Sequence, residues 1–487
     1  MEEQVVKALQ EIVGAENASA AKPICEAYVT KAIMDVSSKA PAIVVRPKNV
    51  TEIQAVLSLA NEKKIPVVPH SGGLSGGEAT PTREGSILLD LRRMNQILEV
   101  DVDARYMILE PGVTSAQAWK IMQENYPNYR PGIPDGAPPS ATIVGDHLDR
   151  GFHFFSTKYG PAADAVLGLE VVLPTGEIVR TGAGALPAAK WFYRWMFGPD
   201  LTGLFLGSQG TLGVVTKMAV KIFPMPKFRD VMAFGASDWK YLIEPTLEVL
   251  KTESIDLAQG GNYHLAIARR SKYQWPPPPK PKFLPTVWMN FELGAESTEE
   301  LENIKKKIRE ILSVYQTRYG ETNIFEWKLD ARSIVARLTK PNRISVPYAG
   351  HKGGGLLFIT WYTPWQDARK FCEATEKLMA KYQISPVVWL AAVDHGRQAL
   401  VMPIVLFDPK SEEEFKTVEA LDREMTELCL SMGGIPYRPS AAVHAPLAMS
   451  KSIGYYDLLK KIKQMLDPNN IMHPGRLGLF EAEGEKA

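Results

Sequence analysis

The stretch VVPHSGGLSGGEAT, Val67 to Thr80, places four glycines and two serines directly behind a short apolar strand. Glycines packed this densely let a backbone approach a ligand closely, take up positive φ, and turn several N–H groups inward as a nest for an anion. A nucleoside-triphosphate P-loop needs Lys and then Ser or Thr after its last glycine, whereas Gly77 is followed by Glu78 and Ala79, and the dinucleotide spacing G-x-G-x-x-G is absent as well. After Gly77 the chain runs through Pro81 into another extended segment, SILLDL, with no helix in between. A phosphate held here would therefore meet loop amides without a helix dipole behind them. From this stretch alone, a phosphate nest and a plain surface loop are both open.

At 487 residues and 45% hydrophobic content, the chain is long enough for two or three domains with large buried cores. The 56 basic and 55 acidic residues leave a net charge of +1, which carries no electrostatic footprint of a nucleic-acid or anionic-membrane partner. The first residues, MEEQVVKALQEIVGAE, hold acids instead of a basic leader. No later segment reaches the ~20 apolar residues that cross a bilayer, so a cytoplasmic protein without a membrane span is expected. Cys25, Cys372 and Cys429 lie far apart with no C-x-x-C pair, which argues for packing residues and against a disulfide framework or a thiolate metal site.

From Ala42 the pattern alternates. A strand AIVV leads to a helix from Thr51, with Thr51 and Gln54 as a capping box and Ile53, Val56, Leu57 and Ala60 as its apolar stripe, and then to the strand IPVV. That is a βαβ-like unit whose exit is the glycine loop. YMILEPGVT reads as a strand, Thr114 and Gln117 cap a further helix, and AVLGLEVVLPTGEIVRTG is two strands around a Pro-Thr-Gly turn. GVVTKMAVKIFPMP alternates cleanly before its prolines, which sets a domain boundary near Pro226. Beyond it come a proline-rich loop at Pro276–Pro279 and three amphipathic helices, Ser297–Tyr319, Gln366–Tyr382 and Ser411–Met432. Ile304, Ile308, Ile311 and Tyr315 should face inward on the first helix, and Val418, Leu421, Met425, Leu428 and Met432 on the last. Strands GGLLFITWY and ALVMPIVLF separate these helices, and Gly433-Gly434 ends the last of them. The fold class is α+β, with an antiparallel sheet flanked by helices in the second domain.

Together APAIVVRPKNVTEIQAVLSLANEKKIPVVPHSGGLSGG, SILLDLRRMNQILEVD, LEPGVT, SATIVGDHLDRG, GLEVVLPTGEIVRTG, GSQGTLGVVTK and LDPNNIMHPGRLG resemble, in order, the FAD-binding domain of the vanillyl-alcohol oxidase and p-cresol methylhydroxylase flavoproteins. The resemblance implies a two-subdomain FAD-binding fold over residues 1–226, completed by 433–487, with 227–432 as a cap that supplies a substrate pocket at the interface. It implies that His70, Ser71, Gly72, Gly73 and Ser75 lie along the FAD diphosphate. Ser140, Gly145, Asp149, Gly151, Val214 and Arg476 would then hold the rest of the cofactor.

The aromatic-alcohol and alkylphenol branch is favoured by RTGAGALP and by GIPYRPS, whose Tyr437 and Arg438 stand where that branch has a Tyr-Arg pair. Hydride transfer from a para-substituted phenol is easier from the phenolate, and an arginine and a tyrosyl O–H suit that oxyanion. Two departures stand out. Ser75 replaces a phenol-binding tyrosine, and the approach VPYAGHKGGGLLF offers only Tyr348 and His351 near the usual flavin tether, which points to noncovalent FAD. Asp135 and Asp146 are candidates for a carboxylate near the flavin, and His147, His395 and His444 for acid–base groups. The expected substrate is a small aromatic or hydroxylated molecule, with a homo-oligomer or an electron-accepting subunit as partner. The alternatives are a D-2-hydroxy-acid dehydrogenase of the same superfamily and a flavin-binding electron-transfer subunit.

Overall fold

The computed structural model describes residues 1–29, 38–74, 79–269, 274–328 and 354–479. The chain separates into two units: one of Met1–Gly151, Ala162–Phe223 and Arg438–Ala487, the other of Phe152–Pro161 and Pro224–Tyr437. The sequence suggested divisions near residues 226 and 433 and left Phe152–Pro161 in the first domain. That short segment belongs to the second unit because Thr157 donates its hydroxyl to Ala392 O and accepts from Ala258 N–H. Lys158 adds an ion pair with Asp256 at 3.1 Å.

The first unit holds two sheets. In one, β1 (Ala18–Ser19), β2 (Ile43–Val45), β3 (Val67–His70) and β4 (Ile87–Asp90) run in the order β1-β2-β4-β3. The expected βαβ unit is thus opened: β2 and β3 do not pair, and β4, which follows the glycine loop, lies between them, parallel to both. Almost every residue of these three strands is buried, as parallel strands covered on both faces require. One face packs Ile43, Val45, Val67, Ile87 and Leu89 against Val5 and Leu9 of the Glu3–Val13 helix and Ile53, Val56 and Leu57 of the Val50–Lys63 helix. The other face sets Val44 and Leu88 against Cys25.

The Val50–Lys63 helix begins earlier than Thr51. Asn49 caps it, its Oδ1 accepting from Glu52 N–H at 2.9 Å, while Glu52 Oε2 accepts from Lys48 N–H at 2.8 Å. Asparagine is the stronger cap, and the glutamate three residues on reaches back to the residue before it. Gln54 is freed to donate to Gly176 O. The Thr114–Gln117 box is present.

The second sheet has the order β5 (Ile97–Asp101), β6 (Tyr106–Leu109), β10 (Val214–Pro224), β8 (Val166–Val172), β9 (Ile178–Arg180), with β7 (Tyr129–Pro131) also paired to β10. The returning C-terminal segment adds to the first sheet: Val67 N–H donates to Ile471 O at 2.7 Å and His473 N–H to Val67 O at 2.9 Å. A fully buried ion pair, Lys463 with Asp467, anchors this segment. Lys463 donates to Thr211 O and Met472 O, and Asp467 accepts from Ile471 N–H and Met472 N–H.

The second unit is an antiparallel sheet of nine strands: β11 (Phe228–Ala236), β12 (Ile255–Asn262), β13 (Val287–Ala295), β14 (Ile324–Glu326), β15 (Gly355–Phe358), β16 (Trp361–Pro364), β17 (Val387–Val393), β18 (Gln398–Phe407) and β19 (Ile435–Pro436). Helices Trp239–Leu250, Thr298–Tyr319, Ala368–Lys381 and Glu412–Ser431 pack on it. On Thr298–Tyr319 the buried stripe is Leu301, Ile308, Leu312 and Tyr315, with Ile304 and Ile311 only half-buried. On Glu412–Ser431, Cys429 takes the inward place expected of Leu428. All three cysteines are buried and unpaired with one another.

Candidate functional site

A cleft open to solvent lies in the first unit and is lined by His70, Ser71, Gly73, Gly145, Asp149 and Gln209 among others. Its walls come from the exit of β3, the short helix Ile143–Leu148 and the turn before β10.

Bare backbone shapes it. A β-carbon on Gly72 would sit 3.1 Å from Thr142 Oγ1 and 3.2 Å from Thr142 N, and one on Gly145 would sit 2.6 Å from Ser71 Oγ. Thr142 donates its hydroxyl to Ser71 Oγ at 3.1 Å. The glycine loop and the start of the helix thus meet through the two hydroxyls, with no room for a side chain on either glycine, which suits a phosphate approached by amides and hydroxyls. Gly73 has a different reason. Its φ is +64°, and a β-carbon there would stand 2.3 Å from His70 Cε1. The fold itself forbids a side chain at Gly73, before any ligand is considered.

His70 is buried, packs edge-on to Tyr28 at 5.1 Å, and donates Nδ1–H to Ala79 O at 3.2 Å. Burial holds its pKa below the usual imidazole range, so the ring is neutral at pH 7 and keeps Nε2 as an acceptor. Arg476 is buried and donates to Gln209 Oε1 at 3.1 Å. Val214 is a core residue at the head of β10, its neighbours Gly213 and Val215 lining the cleft. Asp149 lines the cleft half-buried, whereas Ser140 is exposed on the preceding turn and does not. Ser75, Tyr348 and His351 lie outside the described residues.

His473 and Gln209 were not singled out from the sequence. His473 is buried with its ring between Gln209 O at 2.8 Å and Thr80 O at 2.9 Å. It buckles three motifs together: the end of the glycine loop, GSQG and HPGRLG. Its place inside the last of these, beside Arg476, was the available signal.

The two candidate carboxylates separate clearly. Asp135 is half-buried on a turn. Asp146 is buried, with Oδ1 3.3 Å from Arg438 Nη2. Its pKa is pushed up to about 7, first by burial and then by Asp149, against the pull of Arg438. Gly151 serves this residue, because a β-carbon there would lie 1.9 Å from Asp146 Oδ1. Tyr437, the last residue of the second unit, is buried with its ring edge-on to Tyr362 at 5.5 Å and its N–H on Thr360 O.

Of the histidines, His147 is buried, donates Nδ1–H to Ile143 O, and has its pKa pushed down to about 4 by burial, so it stays neutral. His444 accepts from Ser440 N–H at its own helix start. His395 sits in the β17–β18 turn. Among the described residues, no group of three or more His, Cys, Asp or Glu side chains is placed to hold a metal ion, and no helix is long and apolar enough to cross a membrane.

The chain matches the family model described as an FAD binding domain over residues 41–182 and that of the FAD linked oxidases, C-terminal domain, over 291–477. It is 28% identical over 481 residues to the 4-cresol dehydrogenase [hydroxylating] flavoprotein subunit of Pseudomonas putida, covering 91% of this chain and 89% of that one. It is 30% identical over 455 residues to a glycolate oxidase subunit of Bacillus subtilis, covering 90% and 89%. A solved structure of p-cresol methylhydroxylase with substrate bound shares the fold, with a TM-score of 0.86 at 24% identity over 98% of this chain and 96% of that one.

Proposed function

The chain belongs to the FAD-linked oxidases, and from that premise we propose that it takes a hydride from an alkylphenol, an aromatic alcohol or a related hydroxylated substrate, with Arg438 and Tyr437 holding the substrate oxygen as an anion. FAD, when bound, supplies the hydride acceptor. The observation that carries the reading is Arg438: a guanidinium with its side chain only 22% exposed, next to a buried carboxylate, in the unit that carries the glycine cradle. A planar donor withdrawn from water is what an oxyanion requires. Tyr437 would add one neutral donor.

Asp146, not Asp135, is the carboxylate this reading uses, because only it has a contact with Arg438. Ser71, Gly72 and Gly145 would hold the diphosphate, with Asp149 and Arg476 behind them, and the neutral His70 ring, whose Nδ1–H is taken by Ala79 O, would serve as a wall of the cradle. Gly73 and Gly151 act through His70 and Asp146.

A second reading is oxidation of a D-2-hydroxy acid. The 30% identity to a glycolate oxidase subunit supports it, and an arginine serves a carboxylate as well as a phenolate. Anaerobic mixing of the yellow protein separates the two. Bleaching by 4-alkylphenols or hydroxybenzyl alcohols supports the first, bleaching by D-lactate or glycolate the second, and bleaching by neither removes both. The Pseudomonas putida and Bacillus subtilis relatives are called subunits, which supports an electron-accepting partner. Slow reoxidation by air would agree with one.

A further inference from the structure

The guanidinium proposed to hold an oxyanion already has an anion beside it. Arg438 Nη2 and Asp146 Oδ1 are 3.3 Å apart, and the carboxylate side chain is only 8% exposed. Asp146 Oδ2 is buried and has no hydrogen-bond partner among the described residues. The backbone is cut away to admit this carboxylate, since any β-carbon on Gly151 would overlap Oδ1. The charged groups that bear on Asp146 are Arg438, which favours its ionised form, and Asp149, which opposes it.

A ligand that arrives as an anion would put two negative charges on one largely desolvated arginine. One charge would remain unneutralised away from water, so one of the two anions must gain a proton. We infer that Asp146 is the proton acceptor of the anion site: a substrate hydroxyl entering at Arg438 gives its proton to Asp146 Oδ2, and the oxyanion left behind takes Arg438 as its counter-ion. The substrate O–H bond breaks with its electron pair staying on the substrate oxygen, and a new O–H bond forms on the carboxylate. One negative charge moves from Asp146 to the substrate, and the net charge of the site is unchanged. A ligand already anionic obeys the same balance only if Asp146 takes a proton from solution, and a carboxyl that titrates near neutrality has one within reach. The inference rests on Arg438 as the anion site, and on neither substrate class.

The test uses the FAD-loaded protein and two probes, 4-nitrophenolate and D-lactate, titrated by calorimetry at pH 8 in two buffers of different ionisation enthalpy. Close to one proton should be taken up per anion bound. The affinity for D-lactate should be flat below pH ~7 and fall about tenfold per pH unit above it. In Asp146→Asn the uptake should vanish and the affinity become flat with pH. Binding without proton uptake in the unmodified protein overturns the inference and leaves the anion site standing, and this measurement does not depend on how the variant folds. Persistence of the linkage in Asp146→Asn also overturns it. If neither anion perturbs the flavin spectrum, Arg438 is no anion site and both the functional reading and the inference fall.

Discussion

The glycine cleft and the Asp146–Arg438 pair share the helix Ile143–Leu148 and are built in opposite ways. The cleft is made by what is missing: Gly72 and Gly145 leave the backbone bare where two segments meet. The pair is made by side chains that come from positions 292 residues apart. A site made of backbone tolerates no added atoms and is indifferent to ionisation. A site made of two opposite charges depends on pH. Each substitution below should therefore damage one region and spare the other.

The largest effect is expected from Gly145→Asp. Its β-carbon would press on Ser71 Oγ at 2.6 Å, and its carboxylate would add a negative charge at the proposed diphosphate site, where like charges at a few ångströms cost about 2–4 kcal/mol at intermediate dielectric. FAD affinity should fall roughly 30–1000-fold, with unchanged circular dichroism of the apoprotein. Full flavin content in this variant would remove the cleft from the cofactor site.

Lys463→Met strands Asp467 in the core, and breaking a buried pair costs about 3–5 kcal/mol. The melting temperature should drop by roughly 6–20 °C, with flavin release coinciding with unfolding. Flavin release well below the melting point would mean that the C-terminal anchor serves the cleft alone.

Asp146→Asn should be stabilising at alkaline pH. The folded pKa of Asp146, about 7, lies above its unfolded value. Its contribution to stability is therefore complete below the unfolded pKa and is lost as pH rises towards 7. Between pH 5 and 8 the variant should gain on the order of 2–3 kcal/mol relative to the parent, read from paired denaturant titrations. A difference independent of pH would show that Asp146 is ionised throughout. Gly151→Ala, which forces the carboxylate aside, should cost about 1–3 kcal/mol and weaken anion binding while FAD is retained. Asp135→Asn, with its half-exposed turn position, should change stability by less than about 0.5 kcal/mol.

The same contrast explains what the sequence could disclose. The cleft was legible because a backbone site leaves glycines at fixed places, and Ser71, Gly73 and Gly145 were found that way. The reason assigned to Gly73 was incomplete, since the overlap with His70 is a packing fact that only the fold supplies. Asp135 and Asp146 were indistinguishable as letters. Burial and an arginine returning from the far end of the chain separate them, and no local pattern encodes either. The helices of the second unit were legible from their apolar stripes, but Leu301 and Leu312 take the inward places expected of Ile304 and Ile311, because apolar residues on both flanks of the stripe fit the same helical period. The insertion of β4 between β2 and β3 was invisible, because strand order is set by which edges meet and not by the strands' own composition.

The buckle formed by His473 has a consequence in time. Its ring closes on Thr80, a residue made 393 positions earlier. At a synthesis rate of about 5–20 residues per second, roughly 20–80 s separate the two on the ribosome. During that interval β3 presents an open edge where Ile471 will later pair, and the entire second unit is made meanwhile. The nascent chain must keep that edge from wrong partners until its own tail arrives. Removing the last few turns of the chain would leave a protein that has translated its glycine cleft but never latched it.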